Sequence, residues 1–185
     1  MLHATASQTA GPFLDIGFRW MENGDLLAAT PAITGERMAI HGKIFDGDGA
    51  PMPDCTVEIW QADGQGRYAH TGNRSESDGF TGFGRVATDA DGAFRFSTIK
   101  PGCVAGLNGT LQAPHIVVSL FSRGLLKRLA TRIYFPDDAA NADDPVLALI
   151  PAARRATLIA TLERDATFEW NVRVQGDAET VFFDI

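Results

Sequence analysis

Glycine and proline interrupt this chain too often for long helices: nineteen glycines and nine prolines are spread along its 185 residues rather than pooled in one tract. Spacing of that kind leaves many short elements joined by turns, which favours strands. At 45% hydrophobic residues, the length is one domain's worth and enough to bury a single core.

Alternation fills in the elements. Arg37 to Phe45 reads as a strand closed by the turn Asp46-Gly47-Asp48-Gly49. Thr56 to Gln61 reads as a second, with Val57 and Ile59 on one face and Glu58 and Trp60 on the other. Residues 64–84 carry six glycines and many polar side chains, the composition of an exposed excursion on which functional residues often sit. Further strands are expected at Ala93 to Ser97, His115 to Phe121, Leu129 to Phe135, Thr157 to Leu162, Thr167 to Val174 and Thr180 to Phe183, with a helical turn at Pro145 to Ile150. Seven or eight such strands without alternating long helices predict a mainly β fold, an antiparallel β-sandwich over residues 36–185. An N-terminal arm with a short helix precedes it over residues 1–35.

Lysine and arginine total 16 against 23 acidic residues, a net charge of -7 that opposes attraction to phosphate backbones and anionic lipid. No apolar run reaches the length of a membrane span, and residues 1–20 lack a basic start followed by an apolar block, so a cytoplasmic location is expected. Cys55 and Cys103 read as two reduced thiols rather than a disulfide scaffold or zinc site.

Composition offers no nucleophile elbow, no phosphate-binding glycine loop and no close cluster of histidines and carboxylates. Two separated features bear on metal chemistry. Gly66-Arg67-Tyr68-Ala69-His70 puts a tyrosine and a histidine on the excursion, and a tyrosinate is a hard donor suited to ferric iron. An ordinary surface pair is the commoner case. Ala113-Pro114-His115-Ile116-Val117 starts a strand on which residues 115 and 117 share a face, yet position 117 is valine, so a two-histidine claw is missing.

The same segments carry a family resemblance. Ser7-Gln8-Thr9-Ala10-Gly11-Pro12, Val57-Glu58-Ile59-Trp60-Gln61-Ala62, Gly66-Arg67-Tyr68, Thr98-Ile99-Lys100-Pro101-Gly102, Ala113-Pro114-His115-Ile116, Thr131-Arg132-Ile133-Tyr134-Phe135 and Glu179-Thr180-Val181-Phe182-Phe183-Asp184 follow one another as in the intradiol ring-cleavage dioxygenases. The chain resembles that family from near its N-terminus to its last residue. Members hold Fe(III) through two tyrosines and two histidines and open a catechol ring between its two hydroxyl-bearing carbons, placing both atoms of O2 in the product.

Here half of that donor set is absent. Tyr68 and His115 match the first tyrosine and first histidine, but Cys103-Val104-Ala105-Gly106 offers no second tyrosine and Val117 replaces the second histidine. The resemblance therefore implies a metal-free, alpha-type subunit with Tyr68 and His115 as vestigial ligand positions. The iron would be held by a partner beta subunit. It further implies that the arm residues Thr9, Gly11, Pro12 and Phe13, together with Arg132, line the partner's pocket. The substrate implied is protocatechuate, and the product, 3-carboxy-cis,cis-muconate, feeds the β-ketoadipate route. A guanidinium suits the substrate's carboxylate, although a surface or interface ion pair is the ordinary role of such an arginine. Phe13, Ile133, Phe135, Phe182 and Phe183 could serve a permanent interface or simply the core. Two other readings remain open: a self-sufficient dioxygenase that recruits His70 and a water, and a non-catalytic β-sandwich interaction module.

Overall fold

The computed structural model describes residues 6–11, 13, 16–17, 22–28, 33–69, 79–136 and 138–184. Two sheets and a two-stranded ribbon organise them. The first sheet is built on β1 (Arg37–Phe45), which has β4 (Ala93–Ile99) antiparallel on one side and β10 (Thr167–Glu169) and β11 (Val172–Arg173) parallel on the other; β9 (Thr161–Arg164) completes it beside β10. The second is antiparallel throughout, in the order β3 (Phe83–Ala87), β2 (Thr56–Gln61), β7 (His115–Phe121), β8 (Leu129–Tyr134). Between β4 and β7 the ribbon pairs β5 (Val104–Ala105) with β6 (Leu111–Gln112).

Period-two alternation explains how the sheets face each other. Met38, Ile40 and Ile44 of β1, Phe94 and Phe96 of β4, Val57 and Ile59 of β2, and Ile116, Val118 and Leu120 of β7 point into one shared core. The opposite face of the second sheet carries Glu58 and Trp60, Arg85, and then His115, Val117 and Arg132. A smaller apolar cluster of Ala113, Tyr134, Leu147, Ile150 and Leu158 covers one end of that outer face.

Residues 23–26, inside the segment read as an arm, run from sheet to sheet. Asn23 bridges Arg85 of β3, while the Ser97 amide of β4 donates to the Gly24 carbonyl at 2.8 Å and the Leu26 amide donates back to the Ser97 carbonyl at 2.9 Å. This stitch closes a sandwich edge that would otherwise leave backbone groups unpaired.

Several strand expectations hold at their residues and others do not. Arg37–Phe45, Thr56–Gln61 and His115–Phe121 form as read, and Pro145–Ala148 is the expected helical turn. Thr157 to Leu162 does not form one strand: Ala152–Arg155 and Ala156–Leu158 are helical turns, and β9 begins only at Thr161. The Thr157 hydroxyl donates back to the Arg154 carbonyl at 2.8 Å, a local bond that competes with an extended ladder. Thr167 to Val174 breaks at Trp170 and Asn171, where the Asn171 side chain, not a strand carbonyl, accepts the Lys43 amide at 2.8 Å. Thr180 to Phe183 contributes only an isolated bridge from Phe183 to Ala130. Among the described residues, no helix is long and apolar enough to cross a membrane.

Candidate functional site

The site forms on the outer face of the second sheet, and a carboxylate in a tight loop begins it. Asp63, two residues past the end of β2, accepts through Oδ1 from the Gln65 and Arg67 amides, both at 2.9 Å, while Oδ2 takes the Arg67 guanidinium at 2.9 Å. Its carbonyl also accepts from the Gly102 amide at 2.9 Å, tying the loop to Pro101-Gly102. Gly66, at φ +78°, lies so close to the Cys103 carbonyl that a Cβ there would stand 1.8 Å from the oxygen. Tyr68 is thereby delivered onto the sheet, its ring 4.6 Å from that of Trp60.

Cross-strand pairing supplies the rest. Trp60, Val117 and Arg132 form one row across β2, β7 and β8, and His115 and Tyr134 form the next across β7 and β8. His115 is 1% exposed. Its Nδ1 lies 2.7 Å from the Ala113 carbonyl, which can only accept, so Nδ1 carries the proton and Nε2 accepts from the Tyr68 hydroxyl at 3.3 Å. Burial, reinforced by the nearby Arg132 charge, lowers the His115 pKa to about 4. Burial raises that of Tyr68, with Arg132 opposing. The two sequence candidates thus meet as a neutral hydrogen-bonded pair.

Arg132 and Tyr134 complete the cluster. The Arg132 Nη1 donates to Gln112 Oε1 at 2.7 Å and to the Tyr134 hydroxyl at 3.3 Å; that hydroxyl donates in turn to Asp144 Oδ1 at 3.2 Å. Burial pushes the Tyr134 pKa up to about 12. Asp144 is fully buried and accepts from the Val146 and Leu147 amides as the cap of the Pro145–Ala148 turn, and from the Ala113 amide at 2.8 Å.

The remaining sequence candidates lie elsewhere. The Thr9 hydroxyl accepts from the Gly124 amide at 2.7 Å, at the turn joining β7 to β8. Val117, opposite Arg132, is about 13 Å of strand from Phe121, where that turn begins, so Thr9 and Arg132 occupy opposite ends of one hairpin. Gly11 has open space around it and Phe13 is 82% exposed. Pro12 and His70 lie outside the described residues. Ile133 and Phe135, considered for an interface, are core residues, whereas Phe182 and Phe183 are partly buried against the two core clusters.

Sequence reasoning passed over Asp63, Gln112, Tyr134 and Asp144 as site residues. Two had a local signal: Asp144-Pro145 has the form of a helix cap followed by proline, and Tyr134 stands two residues from Arg132 on the same strand face. Gln112 had none.

Chemically, the outer face presents the Arg132 guanidinium, which is held by the neutral oxygens of Gln112 and Tyr134. Tyr68 donates to His115, and neither titrates near neutrality, so the arrangement suits recognition of an anion better than proton transfer. Among the described residues, no three His, Cys, Asp or Glu side chains gather as a metal-binding group. Tyr68 and His115 are two donors where the iron of the resembled family takes four, so the residues present do not fit that ion.

The family model described as Dioxygenase matches residues 20–178. Over its full length the chain is 43% identical to the protocatechuate 3,4-dioxygenase alpha chain of Burkholderia cepacia and 41% to that of Pseudomonas putida, in each case spanning 98% of the relative. It is 39% identical to the protocatechuate 3,4-dioxygenase beta chain of Burkholderia cepacia over 73% of its own length and 60% of the relative's. Among solved structures, the dioxygenase domain from Streptomyces sp. SirexAA-E superposes with a TM-score of 0.65 at 24% identity, covering 84% of this chain and 88% of that one. Catechol 1,2-dioxygenase from Acinetobacter sp. ADP1 gives 0.62 at 24% identity, covering 77% and 53%. These two likenesses concern the sandwich alone.

Proposed function

Since the chain belongs to the intradiol ring-cleavage dioxygenase family and aligns end to end with protocatechuate 3,4-dioxygenase alpha chains, we propose that it is the metal-free partner of an iron-bearing beta chain in the oxidative opening of protocatechuate to 3-carboxy-cis,cis-muconate. One observation carries the reading. The residues at the two surviving ligand positions are hydrogen-bonded to each other, while the cation beside them has no carboxylate partner among the described residues.

In this reading Fe(III) belongs to the beta subunit and supplies the activation of the catechol ring toward O2. This chain's residues bind and shield. Arg132 meets the substrate carboxylate with a planar pair of donors. Thr9, Gly11, Pro12 and Phe13 close the pocket against water, where charge interactions strengthen. Tyr68 and His115 pack and hydrogen-bond at the pseudo-equivalent position within this chain. The arm of residues 1–35 and the sandwich of 36–185 divide the labour, with residues 23–26 as their seam. The separation of Thr9 from Arg132 along one hairpin means that, for both to reach a single pocket, the arm must leave its own β7–β8 turn.

The test is co-expression with a candidate beta chain and measurement of O2 uptake on protocatechuate, against each chain alone. Ring cleavage is expected only from the complex. Cleavage by this chain alone would overturn the proposal.

A further inference from the structure

Arg132 is a long cation on a sheet face, and its value to a ligand depends on where its donors point. Gln112 and Tyr134 settle that by holding Nη1 between two neutral oxygens. Neutral acceptors anchor the guanidinium without discharging it. Among the described residues, no hydrogen bond or ion pair engages its Nε or Nη2, the edge that binds a carboxylate with two parallel bonds.

Gln112 reaches Arg132 from outside the sheet. It lies on β6, in a ribbon whose return passes through the left-handed residues Asn108 and Gly109. The same buried carboxylate steadies both anchors: Asp144 takes the Tyr134 hydroxyl through Oδ1 and, through Oδ2, the amide of Ala113, the residue following Gln112. A side chain from a peripheral ribbon is thus held at a fixed distance from Arg132.

We infer that Gln112 is a positioning residue for charge selectivity: by pinning Nη1 it presents the Nε and Nη2 edge of Arg132 to a carboxylate carried on an aromatic ring. The inference rests on the reading of Arg132 given above and adds the element that makes that arginine selective. Without the anchor, the guanidinium would sample several rotamers, and the ordering cost would fall on binding.

The test uses the assembled complex with Gln112→Met, which keeps length but removes the acceptor, and Gln112→Glu, which would neutralise Arg132 by pairing with it. Two competitive inhibitors separate the effects: 4-hydroxybenzoate carries the carboxylate and 4-methylphenol lacks it. For Gln112→Met, the KM for protocatechuate and the inhibition constant of 4-hydroxybenzoate should each rise about tenfold, the scale of one hydrogen bond to a charged group, with kcat changing less than KM. The constant for 4-methylphenol should move by less than about twofold. Gln112→Glu should discriminate against the carboxylate at least as strongly. Equal shifts for both inhibitors would overturn the inference in favour of simple packing. No shift with Gln112→Met, while Arg132→Ala still discriminates, would overturn it and leave the Arg132 reading standing. If Arg132→Ala itself fails to discriminate, that reading falls and this one with it.

Discussion

Arg132 and His115 sit in adjacent cross-strand rows with opposite electrostatic fates. The guanidinium stays charged and half-buried between neutral oxygens, whereas burial and that same charge keep His115 neutral. Arg132→Ala in the complex should raise the KM for protocatechuate by about tenfold or more while leaving iron per complex unchanged, as metal analysis of the purified assembly would register. Wild-type kinetics would reject its role. His115 bears on stability. Unfolded, its imidazole takes a proton near pH 6.5; folded, it does so only near 4, so the unfolded state binds more protons between those values. Stability should therefore fall as pH drops through that window, by at most roughly 3 kcal/mol from this residue. His115→Gln should flatten the fall, and urea unfolding at pH 4.5 and 7 of both proteins would measure it. An unchanged difference between the two pH values would show that His115 is not the buried neutral group described here.

At the scale of elements, alternation was legible wherever one face is buried and the other polar, as in Arg37–Phe45 and Thr56–Gln61. It failed where side chains replace ladder bonds. Asn171 substitutes for backbone beside Lys43 and splits one expected strand in two; Thr157 bonds to its own turn and delays another. The parallel pairing of β1 with β10 and β11 was equally hidden, because partner direction leaves no mark on a short apolar run. The site was legible in part. Tyr68 and His115 were found as separate features and meet at 3.3 Å, but Gln112 and Asp144 act through distances that only the closed sandwich sets. Gly42 gives this scale its own prediction. A Cβ there would stand 1.8 Å from the Trp170 carbonyl, where β1 meets the break between β10 and β11. Gly42→Ala should cost about 3 kcal/mol, read as a lowered urea midpoint with little change in slope. An unshifted midpoint would mean that the first sheet tolerates a wider spacing than it shows.

As a whole molecule, the chain is an intradiol dioxygenase scaffold in which Tyr68 and His115 hydrogen-bond to each other. Its core, its edge stitch at residues 23–26 and its second apolar cluster are those of a two-sheet sandwich. Phe13 at the arm is exposed, and among the described residues nothing engages the Nε and Nη2 edge of Arg132. Both make sense if another chain supplies the metal and this one supplies walls and charge. The most direct test is the iron content of this chain purified alone, by metal analysis and by the visible absorption of a tyrosinate bound to ferric iron, beside the same chain purified with its beta partner. The account predicts no stoichiometric iron and no such absorption for the chain alone, with both present in the complex. One ferric ion per isolated chain, bound through Tyr68 and His115, would contradict it.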